Sequence, residues 1–137
     1  RPHHTMSAGI VWRDDKVLIT QRPENGLLGG LWEFPAGTQQ SGESLQDTCI
    51  RGIKDTTGVD IKIVDRFRAV KHAFTHFSIT LHTFQCRYTK GKTQSLTCDN
   101  FVWVPLSKIE TYAFSRTTRK LIDLLQNEGQ PDLFASQ

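Results

Sequence analysis

Cysteine is scarce and scattered. The chain has three, Cys49, Cys86 and Cys98, with no CxxC spacing among them. An odd, dispersed set argues against a disulfide framework and against a structural zinc site, and fits a reducing compartment. No apolar run approaches the roughly 20 residues that a spanning helix needs, so no membrane segment is expected. The first residues do not resemble a charged-then-apolar leader, so no signal peptide is expected here. Residues 1–5, beginning Arg1-Pro2-His3-His4, read as a linker, and the chain does not open on methionine, so a piece of something longer is expected. Blocks of like charge are missing. Seventeen Lys and Arg against fourteen Asp and Glu give +3 at pH 7. That mildly basic balance permits contact with nucleic acid without predicting it. No internal repeat and no low-complexity tract is present.

What is there describes one ordinary globular domain. The 137 residues are 37% hydrophobic and 23% charged, enough for a real core. Met6 to Trp12 is apolar and β-prone, Asp14-Asp15 turns, and Lys16 to Thr20 follows, which reads as a hairpin. Pro23, Asn25, Gly26, Gly29 and Gly30 mark Gln21 to Gly30 as a loop. Leu31 to Phe34 reads as a short strand stopped by Pro35.

The most informative stretch then runs through Gly37, Gly42 and Glu43 to Gly58. Ser44 is a good N-cap, with Asp47 in the capping-box position. Leu45, Cys49 and Ile53 lie four apart on one apolar face. Gly58 stands where a left-handed C-terminal residue belongs. The spacing predicts a helix from about Leu45 to Thr57. Beyond it, Asp60 to Arg68, Val70 to His76, Phe77 to Tyr88 and Phe101 to Val104 read as strands. Ser115 caps a last helix with Leu121, Ile122, Leu124 and Leu125 buried. Strands and helices in this order predict an α/β fold, a mixed sheet packed between helices. The domain is expected over 6–126, with a mobile polar tail over 127–137.

The loop–helix stretch resembles the Nudix box: Gly, five residues, Glu, seven residues, then Arg-Glu-apolar-x-Glu-Glu-x-Gly-apolar. Gly37, Glu43, Arg51, Ile53, Gly58 and Val59 fall on that pattern. The resemblance implies a Nudix-like α/β/α sandwich. It also implies divalent cations held by helix carboxylates against a pyrophosphate. Here Gly52 stands in place of one glutamate, and Asp55 and Thr56 in place of the paired ones. The box is thus degenerate, keeping Gly37, Glu43, Arg51, Asp55 and Gly58, and no metal ligand and no catalytic residue is expected from it.

Gln21-Arg22-Pro23, then Gly26 through Pro35, and His72-Ala73-Phe74-Thr75-His76-Phe77 are similar to the C-terminal domain of adenine DNA glycosylases, the MutY family. That resemblance implies a domain that recognises 8-oxoguanine paired with adenine in double-stranded DNA, during base-excision repair, through Phe74, Thr75 and His76. The catalytic N-terminal domain and its iron–sulfur cluster would lie outside this chain, which would hold no cofactor and remove no adenine itself; whether the chain is itself an enzyme stays open. A monomer in the bacterial cytoplasm, near the nucleoid, is the matching expectation. The alternative is a stand-alone Nudix pyrophosphohydrolase acting on oxidised nucleoside triphosphates, with magnesium as its cofactor. A third reading is a nucleotide-binding module with no DNA role. In the tail, Gln130, Leu133 and Phe134 are similar to a sliding-clamp-binding pentapeptide; the plainer expectation is that Leu133 and Phe134 pack back on the domain.

Overall fold

The computed structural model describes residues 2–135. Its elements, in order, are β1 (His3–Arg13), β2 (Lys16–Gln21), β3 (Trp32–Glu33), β4 (Ala36–Thr38), α1 (Leu45–Thr57), β5 (Asp60–Ala73), β6 (Ser78–Lys90), β7 (Asn100–Pro105), a 3-10 turn over Leu106–Thr111, and α2 (Arg116–Glu128). One mixed sheet runs β3-β2-β1-β6-β5, with β4 also paired to β1 and β7 to β2. β1 and β6 are parallel, His3 facing Ser78 and Trp12 facing Arg87. The other ladders are antiparallel.

Alternation along β1 explains the two layers. Successive side chains of a strand leave opposite faces. Ala8, Ile10 and Trp12 join Val17, Ile19 and the α2 residues Leu121, Ile122 and Leu125 in one buried cluster. Val11 joins Leu18, Phe84, Cys86 and the α1 residues Cys49 and Ile53 in the other. Each fully buried Leu, Ile or Phe contributes roughly 1.5–3 kcal/mol, so both helices are held by the sheet face they cover.

Helix α1 starts and stops where its chemistry requires. The Ser44 hydroxyl accepts from the Asp47 N–H at 3.0 Å, and Gly58 takes φ 76° and donates its N–H to the Lys54 carbonyl. Two expectations need correction, and one short strand, β4, is additional to those that the sequence signals. β1 begins at His3, so residues 3–5 belong to the sheet and are not a linker, because their backbone pairs with Ser78, Ile79 and Thr80; Arg1 lies outside the described residues. β4 follows Pro35 directly, since a proline before a strand removes only a donor that the ladder does not use there. β5 is one strand; its register shifts between Ile63/Asp65 and between Arg66/Ala69 interrupt the alternation that would have joined its halves. Among the described residues no helix is long and apolar enough to cross a membrane.

Candidate functional site

The site is organised by the loop between β2 and β3. The Arg22 N–H donates to the Leu31 carbonyl at 2.9 Å and the Gly30 N–H to the Arg22 carbonyl at 3.0 Å, so the loop closes on itself. Gly29 permits this: a Cβ there would stand 2.1 Å from the Glu24 carbonyl oxygen. The closed loop aims Arg22 inward. Its Nε donates to the Leu27 carbonyl at 2.6 Å, and its Nη1 donates to both oxygens of Glu33, at 3.2 and 3.1 Å. Burial pushes the Glu33 carboxyl above its ordinary value, and the charge and hydrogen bonds of Arg22 pull it back only in part.

Two cavities meet at this pair. The larger, about 260 Å³, lies between the sheet and α2 and is mainly apolar, with Phe34, Leu81 and Leu121 among its walls. Its polar rim includes His72 from β5, whose Nδ1 lies 3.0 Å from the Thr117 hydroxyl in the first turn of α2. The smaller, about 200 Å³, faces α1 and is lined by Thr20, Thr56, Thr97 and Cys98 beside Arg22 and Glu33. Neither the His72–Thr117 pair nor Thr20 and Thr97 was singled out from the sequence. The Ser115 cap was the available signal, since it fixes Thr117 and Thr118 in the first turn of a helix.

The degenerate box is ordered around Arg51. Its Nε donates to Glu43 at 2.7 Å, its Nη2 to Glu43 and to the Thr38 carbonyl at 3.0 and 2.7 Å, and its Nη1 to Asp55 at 3.3 Å. Glu43 also accepts from the Thr48 hydroxyl and the Gln40 N–H. The Arg51 hydrogen bonds, first among these, hold its carboxyl down at about 2. Gly37 and Gly52 touch backbone to backbone: a Cβ on Gly52 would sit 2.4 Å from the Gly37 nitrogen.

A helix-held divalent cation, which the box implies, does not fit these donors. Magnesium wants several hard oxygens in near-octahedral array. Both Glu43 oxygens are spent on Arg51, Asp55 is exposed and turned to the same guanidinium, and positions 52 and 56 carry no carboxylate. Among the described residues no three or more His, Cys, Asp or Glu gather to hold a metal ion.

The Phe74–His76 segment forms the turn between β5 and β6, closed by the Phe74 N–H donating to the Phe77 carbonyl at 2.8 Å. The Phe74 ring is stacked on His72 at 4.1 Å and on Phe77 at 4.6 Å. Phe74 also borders the α2-side cavity. Thr75 and His76 are exposed at the tip. The tail folds back. Gln130 donates to the Asp14 carbonyl at 2.7 Å, Leu133 packs against the α2-side core, and the Arg87 guanidinium lies 4.5 Å from the Phe134 ring centroid. Residues 136–137 lie outside the described residues.

Comparison with known proteins bears on the reading of this site. A family model described as "NUDIX domain" matches residues 7–124. An 8-oxo-dGTP diphosphatase of Proteus vulgaris is 31% identical over 80 residues, which are 58% of this chain and 71% of that protein; the human adenine DNA glycosylase is 28% identical over 116 residues, 82% of this chain and 21% of that protein. A solved MutT protein from Methanosarcina mazei superposes with a TM-score of 0.83 at 21% identity, over 93% of this chain and 96% of that one; at that identity it speaks for the fold alone. The glycosylase-domain reading is corrected by these findings. An 8-oxo-dGTP diphosphatase of Buchnera aphidicola is 26% identical over 118 residues, 86% of this chain and 89% of that protein, so a hydrolase accounts for most of both lengths. The repair and glycosylase roles fall with the glycosylase-domain reading.

Proposed function

The chain belongs to the NUDIX domain family, and on that premise we propose that it is a pyrophosphohydrolase acting on oxidised purine nucleoside triphosphates. The observation that carries this reading is the pair of abutting cavities, one mainly apolar and one with three threonines among its walls, joined at Arg22 and Glu33. A concave apolar site with a few convergent polar groups is the usual form of a small-molecule site. The base lies in the α2-side cavity against Phe34 and Leu81, where His72 and Thr117 supply hydrogen bonds to its edge. The triphosphate runs toward α1. Water adds to a phosphorus of the chain, the bond to the leaving pyrophosphate breaks, and nucleoside monophosphate and pyrophosphate result. Glu33 lines both cavities, and its raised pKa suits a group that takes the proton from that water. The identity of the diphosphatase relative supports the substrate class.

Incubating the chain with magnesium and 8-oxo-dGTP should release pyrophosphate and 8-oxo-dGMP, and Glu33→Gln should slow that release by roughly a hundredfold, the scale of a lost general base. No release above a protein-free control would refute the hydrolase.

A second reading, a nucleotide-binding module without turnover, is favoured by one observation: Gly52 and Thr56 stand where the family's helix carboxylates belong. Saturable nucleotide binding without pyrophosphate release would select it.

A further inference from the structure

The smaller cavity touches the box helix at Thr56, one of the positions from which the family's pattern would present a carboxylate to a cation. What lines it here is a different kind of donor set. Three threonines, Thr20, Thr56 and Thr97, line it with Cys98 and Arg22; the one acidic residue among its walls is Glu33, already paired with the Arg22 guanidinium. Hydroxyls and a guanidinium suit phosphate oxygens, and a site with one partnered carboxylate has little hold on a divalent cation. The polarity of the cavity is therefore reversed: it favours an anion.

We infer that this cavity binds a phosphate group of the nucleotide directly through Arg22 and the threonine hydroxyls, with no divalent cation between them. The inference rests on the nucleotide reading above, and deepens it.

Three features support it. First, the Arg22 bonds to Leu27 and Glu33 use Nε and Nη1, which leaves the Nη2 edge of the fork to a ligand. Second, Arg22 stands where the two cavities meet, so a nucleotide whose base lies in the larger one can set its phosphate beside this side chain in the smaller. Third, the way back to a helix-held metal is obstructed. A side chain at position 52 would collide with the Gly37 backbone. The carbonyl of Thr56 is capped by the loop before β7, through the Leu96 and Thr97 N–H groups at 3.0 and 3.4 Å and the Cys98 thiol, which fixes this end of the helix against the loop.

The test is isothermal titration of the whole chain with 8-oxo-dGMP, with 8-oxo-deoxyguanosine and with inorganic phosphate, each in EDTA and in magnesium. The expected result is 8-oxo-dGMP binding whose Kd differs by less than about twofold between EDTA and magnesium. Arg22→Gln should weaken 8-oxo-dGMP by roughly tenfold, about 1.4 kcal/mol, and leave the phosphate-free nucleoside within about twofold of wild type. Inorganic phosphate should compete with the nucleotide and not with the nucleoside. Three results would overturn the inference: 8-oxo-dGMP binding that EDTA abolishes, equal loss of nucleotide and nucleoside in Arg22→Gln, and no competition by phosphate. Failure of every ligand to bind under both conditions would instead remove the nucleotide reading on which it stands.

Discussion

At the scale of single residues, Gly52 carries the sharpest consequence. Glycine inside a helix costs about 1 kcal/mol relative to alanine, so a propensity argument alone says that Gly52→Ala should stabilise α1. The contact argues the other way. A Cβ at this position meets the Gly37 nitrogen at 2.4 Å and the Ala36 carbonyl carbon at 2.7 Å. Both are backbone, so no rotamer change relieves the overlap, and α1 must lift away from β4. Overpacking of this kind costs typically 1–3 kcal/mol and more where backbone must move, which exceeds the propensity gain. Gly52→Ala is therefore expected to lower the urea unfolding free energy by about 1–2 kcal/mol net. A gain in stability would show that the helix stands farther from β4 than this contact requires. The same packing bears on the box: the residue that would restore the family's glutamate is larger still than alanine.

At the scale of elements, α1 shows what local chemistry can specify. Ser44 accepts from the Asp47 N–H, and one Ser→Ala cap replacement typically costs ~1 kcal/mol. Ser44→Ala should lose about that much in thermal or urea unfolding without changing the circular-dichroism spectrum of the folded state; an unchanged midpoint would mean that the Glu43–Arg51 clamp alone holds the helix start. This helix was legible because its signals are all within it: the cap, the four-residue spacing of Leu45, Cys49 and Ile53, and Gly58. The alternation of Phe77 to Tyr88 was legible for the same reason. The three-residue β4 was not, because its pairing with Met6, Ser7 and Ala8 is a long-range fact. The unity of β5 was hidden by its own bulges. The candidate site divided along the same line. Gly37, Glu43 and Arg51 could be found on a fixed pattern, and the Glu43–Arg51 bonds are short-range. The approach of Thr117 to His72, 45 residues apart, and the meeting of Thr20, Thr56 and Thr97 in one cavity exist only once the sheet has formed. The loop motif around Phe74 was read from a resemblance, and the stacking of its ring with His72 and Phe77 is not visible in the spacing.

At the scale of the whole molecule, two carboxylates give the stability opposite dependences on pH. Glu43 is tied to Arg51, which also reaches the end of β4 through the Thr38 carbonyl, so its ionisation is coupled to the packing of α1 against the sheet. Its folded-state pKa is lowered from 4.5 to about 2. A depressed carboxylate binds fewer protons folded than unfolded, so its contribution is present above pH 4.5 and is lost as pH falls from there through about 2. Glu33 is raised above 4.5 by burial. It binds protons more readily folded than unfolded, so its contribution is present below 4.5 and is lost as pH rises through its folded value. Neutral glutamine removes each effect separately. Urea midpoints measured from pH 2 upward should show a shallower acid fall for Glu43→Gln than for wild type. Glu33→Gln should keep the acid fall and lose the decline that wild type shows as pH rises above 4.5. If Glu43→Gln instead fell as steeply as wild type between pH 4.5 and 2, its carboxylate would not be what joins α1 to the sheet, and the ordered Arg51 network would owe its geometry to Asp55 and Thr38 alone.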